Sequence, residues 1–288
     1  MKSEWDCVLQ NLGEWQGSFT SFSPQGELIQ DIPSLILLEG VNQNQSIHLV
    51  LKRFYPVPES AELQPRELVM DFSAPAAGAF FFETGAFSDG RTSFSSHQPF
   101  VAEFCLLDGD PNRDRSATSR LRQVLIFDAE NQLQQVTLIR EHRSDLPTPE
   151  RSPLRVENLL GTWQGKAVTR YPRQATADIA DITTTWVRPS EHRPSNPQLI
   201  QQVLGYEAID ITLSQGNLCF DQEGQSYQTL LLPDGASSTY PVQICPRQPF
   251  FLEAGWLLAP GVRQRLIRRY NSEGDWISVT WISEYQVR

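Results

Sequence analysis

The chain has 288 residues, 40% hydrophobic and 20% charged, a globular composition that excludes intrinsic disorder. Its net charge of −10 disfavours binding to phosphate backbones and anionic membrane surfaces, and no apolar run approaches the roughly 20 residues of a membrane span. The four cysteines form no Cys-x-x-Cys pair and the first residues lack the apolar core of a cleaved signal peptide, so a reducing, cytoplasmic setting without disulfides or a zinc site is expected.

In chain order, Ser3 to Leu12 reads as a short helix that runs into a strand opened by Gly13-Glu14-Trp15-Gln16-Gly17. Strand-like runs follow at Phe19–Phe22, Ser34–Glu39, Ile47–Tyr55, Leu68–Phe72 and Leu133–Arg140, with turn words such as Asn42-Gln43-Asn44 and Asp89-Gly90 between them. From His142 to Pro153 the chain is polar and holds three prolines, which break helix and central strand alike and mark a linker. Ser152 and Pro153 suit the N-cap and first position of a second helix over Leu154–Leu160. Further strands are expected at Ile182–Val187, Ala208–Leu213, Asn217–Asp221, Tyr227–Leu232, Arg265–Tyr270 and Trp276–Tyr285, and one helical turn within Pro197–Gly205. Many short strands at even spacing indicate a sandwich or a barrel.

The second half repeats words of the first, in the same order. Asn11-Leu12-Gly13-Glu14-Trp15-Gln16-Gly17 returns as Asn158-Leu159-Leu160-Gly161-Thr162-Trp163-Gln164-Gly165. Gln98-Pro99-Phe100-Val101-Ala102-Glu103 returns as Gln248-Pro249-Phe250-Phe251-Leu252-Glu253. Arg122-Gln123-Val124-Leu125-Ile126 is aligned with Arg263-Gln264-Arg265-Leu266-Ile267, and Val136-Thr137 to Glu141-His142 with Val279-Thr280 to Glu284-Tyr285. Such a repeat divides the chain into residues 1–146 and 147–288, each long enough for its own core. Charge divides differently: residues 1–150 carry 11 basic and 21 acidic side chains, residues 151–288 carry 13 of each.

A short helix, then Gly-x-Trp opening the first of many strands, resembles the calycins, the lipocalin-like closed barrels. The resemblance implies an all-β protein of two tandem antiparallel β-barrels, each preceded by a short helix. It is similar over its whole length to an uncharacterised cyanobacterial family of tandem calycin barrels. In calycins the tryptophan packs at the closed end against a basic residue of the last strand. That role falls to Trp15, Trp163 and Arg140, while Ser283 stands at the matching place in the second half, where Arg268 or Arg269 would have to substitute. Gly161 to Gly165 followed by Tyr171-Pro172 also looks like the opening of nitrobindin-type haem barrels, although their histidine ligand is not matched. Bilin lyases are calycins too, but their motifs find no counterpart here.

The residues point to no catalytic constellation. Gly-x-Ser-x-Gly, phosphate-loop and Gly-x-Gly-x-x-Gly words are absent. The four histidines, His48, His97, His142 and His192, have no metal-like spacing. His142 at the end of its strand is a candidate ligand contact beside the plainer reading as a rim residue. Glu103 and Glu253 are kept by both repeats. On the solvent face, with Phe250 and Leu252 inside, they would be ordinary; turned inward, each would need a partner or would grip a ligand. The sequence specifies no cofactor. The expectation is a non-enzymatic binding or accessory protein, carrying a hydrophobic small molecule or a pigment such as a tetrapyrrole in a barrel mouth. The alternative is a protein-interaction module with side-chain-filled barrels, and a bilin-lyase-like enzyme comes third. Nucleic acid is not an expected partner.

Overall fold

Ser3 caps the first helix, α1 (Glu4–Val8), its hydroxyl accepting from the Asp6 N–H while the Asp6 carboxylate accepts from Ser3, a reciprocal cap that fixes where the helix starts. The chain leaves α1 through a 3₁₀ turn, Leu9–Asn11, and enters the first strand at Gly13. A computed structural model describes residues 2–58, 62–109, 116–147, 151–172, 174, 176–189 and 198–287.

The first half forms β1 (Gly13–Phe22), β2 (Leu28–Val41), β3 (Ser46–Pro56), β4 (Leu63–Phe72), β5 (Phe80–Phe81), β6 (Phe87–Gly90), β7 (Phe100–Leu107), β8 (Ser119–Phe127) and β9 (Leu133–Arg143). They make one antiparallel sheet in the order β4-β3-β2-β1-β9-β8-β7-β6-β5. The second half opens with α2 (Val156–Leu159) and continues as β10 (Gly161–Arg170), β11 (Asp178–Val187), β12 (Leu199–Val203), β13 (Ile209–Ser214), β14 (Asn217–Gln222), β15 (Gln225–Leu231), β16 (Ala236–Pro241), β17 (Phe250–Ala259), β18 (Val262–Tyr270) and β19 (Trp276–Val287). These ten strands pair with their sequence neighbours, and β10 pairs with β19, closing a barrel.

Three expectations change. Only the second half is a closed barrel. In the first half no ladder among the described residues joins β4 to β5, because β5 is only two residues long and β4 is exposed along nearly its whole length. The helical turn expected within Pro197–Gly205 is the strand β12, where pairing with β11 overrides local propensity. The second helix starts after Arg155 rather than at Ser152, and the Arg155 N–H donates to Asn158 Oδ1.

The largest buried apolar cluster lies between the two sheets. Phe22, Phe100, Phe104, Leu125, Phe127 and Leu138 of the first pack with Leu230, Phe250, Leu252, Trp256, Tyr270 and Val279 of the second. Phe250 stacks on Tyr270 with centroids 4.6 Å apart, and Phe100 meets both edge-on at 5.9 and 5.3 Å. Successive strand residues face opposite ways. On β17, Phe250, Leu252 and Trp256 therefore face the first sheet, while Phe251 and Glu253 face the barrel's interior. The apolar run at 249–252 is apolar on both faces because both are buried.

Candidate functional site

Each half builds the same charged cluster beneath its tryptophan. Trp15 and Trp163 are fully buried, and each indole N–H donates to a carbonyl four residues back, Asn11 at 2.9 Å and Leu159 at 2.8 Å. Two residues on, Gly17 and Gly165 bring β1 and β10 against β9 and β19 so closely that a Cβ would fall 1.8 Å from the Arg140 carbonyl oxygen, or 1.9 Å from that of Ser283. Only glycine fits there.

In the first half Arg120 donates to Glu141 at 2.6 Å, and Arg122 grips the same carboxylate through Nε and Nη2 at 3.1 and 2.9 Å while reaching Glu103 at 3.1 Å. In the second half Arg263 donates to Glu284 at 2.6 Å, and Arg265 lies 3.0 Å from Glu284 and 3.4 Å from Glu253. The guanidiniums cover the tryptophans. Arg120 stands 4.6 Å and Arg143 3.9 Å from the Trp15 ring centre, and Arg263 4.9 Å from that of Trp163. Burial pushes the Glu141 carboxyl up, but Arg120 and Arg122 outweigh it and hold it at about 2. Burial acts likewise on Glu284, and Arg265 and Arg263 hold it below the usual range.

The expected stacking of Arg140 on Trp15 is not formed. Trp15 pairs with Arg143 across the ladder, whereas Arg140 pairs with Ser18. Three residues apart on a strand means opposite faces, and Arg140 instead reaches Ser18 and Thr20, with Asp31 at 3.7 Å. Neither proposed substitute covers Trp163. Arg269 lies over Phe251, and Arg268 stacks on Trp276 while donating to the Gly78 carbonyl of the first sheet. His142 shares the Arg140 face, opposite Gln16, and is not part of the cluster; burial holds its imidazole below its ordinary value. Glu103 and Glu253 both turn inward, onto Arg122 and Arg265, and burial pushes the Glu103 carboxyl up against the pull of Arg122. His192 lies outside the described residues.

Sequence reasoning passed over Arg120, Arg122, Arg265, Glu141 and Glu284 as chemistry, although a signal existed. In each half an Arg-x-Arg word opens the penultimate strand, and its first arginine precedes the partner glutamate by 21 residues. The words matched above set Arg122 beside Arg263, two residues out of register; the contacts set Arg120 beside Arg263.

The closed barrel holds a cavity of about 1180 Å³, somewhat larger than most small-ligand sites. Arg263, Arg265 and Glu253 lie at its floor, Ile182, Phe251, Ile267 and Ile282 along its walls, and Tyr206, Glu207 and Glu223 at its opening. Phe220, Tyr227 and Phe251 form a stacked column on one wall, with centroids 5.3 and 4.5 Å apart. The hydroxyls of Thr229 and Thr239 bond to one another at 2.8 Å, as do those of Thr169 and Thr280 at 2.9 Å.

Residues 1–146 match the family described as "Domain of unknown function (DUF3598), N-terminal". The chain belongs to the DUF3598 family. A solved DUF3598 protein of unknown function, from Nostoc punctiforme PCC 73102, is 38% identical over 100% of both chains, with a TM-score of 0.86. Residues 150–287 of this DUF3598 chain are similar to the C-terminal domain of "Biogenesis factor required for ATP synthase 1". A putative outer membrane protein from Bacteroides fragilis NCTC 9343 aligns over 98% of the chain and 99% of its own at 7% identity, with a TM-score of only 0.24. No curated protein matches the chain. No described helix is long and apolar enough to cross a membrane.

Proposed function

We propose that this DUF3598 protein is a non-enzymatic accessory protein that acts by binding, in the assembly of a larger complex. The observation that carries this reading is the similarity of residues 150–287 to the C-terminal domain of a biogenesis factor. The geometry supports it. The ionisable side chains concentrated in the protein are spent on one another beneath Trp15 and Trp163, as a structural core would spend them. The buried thiol of Cys105 is pushed up to about 12 by burial, far from a reactive thiolate. The acidic first half suits a basic partner surface. All four cysteines are free, in keeping with the cytoplasmic placement we propose. Deleting the gene in its host tests the reading. One multisubunit complex should fall in amount while its separate subunits are still made; unchanged complexes on native gels, with no subunit cross-linked to the tagged protein, would overturn it.

We also infer that the chain is one duplicated calycin-like unit, divided at 146/147, with the first copy opened between β4 and β5. What supports this is the matched pair of Trp, Gly, Arg-x-Arg and Glu contacts, which neither half needs the other to form.

A second reading rests on the cavity. A barrel packed solid would fit interaction alone, whereas a void of about 1180 Å³ has the room to carry a hydrophobic small molecule. Absorbance and mass spectrometry of protein purified from its own host check it, and a ligand-free protein that takes up no hydrophobic dye would remove it.

A further inference from the structure

The wall of the closed barrel is incomplete on one side. β12 ends at Val203, opposite Thr184, and the Leu204 N–H then donates to the Thr183 carbonyl at 2.9 Å. Beyond that point β11 pairs with β10 but, among the described residues, has no ladder partner on its other edge. The short β12 thus leaves a notch beside Ala180 and Ile182, which line the cavity. Leu204, Tyr206 and Ile179 flank this notch at 76%, 75% and 69% exposure, more than any other large hydrophobic side chain among the described residues. Single exposed apolar residues are commonplace. Three gathered at a break in the cavity wall form an apolar lip.

The charges around this space select what could enter. Arg263 and Arg265 at the floor are neutralised by Glu284 and Glu253, and Arg269 lies over Phe251. The opening carries Glu207, Glu223 and Asp221, with Asp181 paired to the exposed Lys166. A carboxylate or phosphate head would therefore cross a negative opening and find each floor arginine already paired. Within, Thr169 pairs with Thr280 and Thr229 with Thr239, and Thr212 donates to the Cys219 carbonyl.

We propose that the barrel takes an elongated apolar molecule, uncharged or cationic, and that it enters sideways through the notch between β11 and residues 204–208. This rests on the carrier reading above. The apolar body lies along Ile182, Ile267 and Ile282, and the lip shields it during entry.

The test uses the full chain and Nile red, a neutral dye, displaced by methyl dodecanoate, dodecylamine or dodecanoate below their aggregation limits. The ester and the amine should displace the dye at concentrations at least tenfold below dodecanoate, and Glu207→Lys with Glu223→Lys should erase that preference. Ala180→Trp, at the notch, should slow dye entry at least tenfold, whereas Val242→Trp, across the barrel mouth, should not. A protein that binds no Nile red removes the carrier reading itself. Dye binding in which dodecanoate competes best overturns only the ligand class, and slowing by Val242→Trp instead of Ala180→Trp overturns the side entrance. Circular dichroism of each variant separates these outcomes from misfolding.

Discussion

Trp15 lies under two guanidiniums, and one of them, Arg120, also holds Glu141. Truncating Trp15 to Ala should cost about 3 to 5 kcal/mol, as for other buried aromatics. Arg120→Ala removes both the stack and one of the two cations on Glu141, and should cost about as much. The double variant should be less destabilised than the sum of the two, whereas Arg140→Ala should add independently to Trp15→Ala and change stability by about 0.5 kcal/mol or less. Urea unfolding of the three single variants and the two double variants checks this. Glu141 sets an acid dependence. Its folded pKa of about 2 lies below the ordinary 4.5, so the unfolded chain binds its proton first on acidification. The stabilisation, on the order of 3 kcal/mol, is complete above about pH 4.5 and is lost as pH falls toward 2. Glu141→Gln should be destabilised at neutral pH and should show a flatter loss of stability between those values.

Strand pairing decides most of what the elements do. Gly17→Ala and Gly165→Ala should each push two strands apart and cost more than Gly216→Ala, where an added methyl meets nothing within 4 Å and only the left-handed backbone objects. Hydrogen exchange across β1/β9 and β10/β19 would show the opening. The first helix, the Gly-x-Trp words and strands such as β2, β3, β9, β13 to β15, β18 and β19 were legible because each leaves a local trace: alternation, a cap, a turn word; β5 to β8, β12, β16 and β17 were not among the expected strands. The face that Glu253 takes was not legible. Phe250, Phe251 and Leu252 are all apolar, since β17 is buried on both sides, and a continuous apolar run carries no parity. Arg140 failed for a related reason. Its strand was recognised, but only the register, Trp15 opposite Arg143, says which side chains share a face, and register is a pairing of distant segments. The open edge at β4 left no local trace either, for Leu68, Val69 and Met70 are as apolar as core residues yet 44% to 49% exposed.

Across the whole molecule the halves are joined through side chains that each owes to the other. Arg151 reaches Asp108 at 3.4 Å and Asp234 at 3.9 Å and lies over Trp256. Burial pushes Asp234 up to about 6 in spite of Arg151. The folded chain then binds this proton more readily than the unfolded one, so stability should fall as pH rises from about 4 to 6, opposite in sign to Glu141. Asp234→Asn should abolish that decline in thermal melts across the range. The core between the sheets predicts one cooperative transition, with calorimetric and van't Hoff enthalpies equal. Residues 1–146 or 147–288 expressed alone should bind the dye ANS through the uncovered aromatic face. Two separate transitions in the full chain would show that the shared core is not cooperative.

Arg268 is wholly buried and has no carboxylate partner among the described residues. It donates to Tyr270, to the Gly78 carbonyl at 2.9 Å and to the Arg91 carbonyl at 3.3 Å. Gly78 and Arg268 are 190 positions apart. During synthesis, then, carbonyls of the first sheet stay hydrated until β18 has cleared the ribosome, well over a hundred residues after their own strands emerged. Through that interval Phe100 has aromatic neighbours of its own half, such as Phe94 and Phe127, but not the Tyr270 that meets it edge-on, a period of exposure to mispairing. Ribosome-stalled chains ending near residue 200 should remain open to protease between residues 76 and 106, and chains whose residue 270 has emerged should be protected there. The timing of the last strands would then govern the yield of the first.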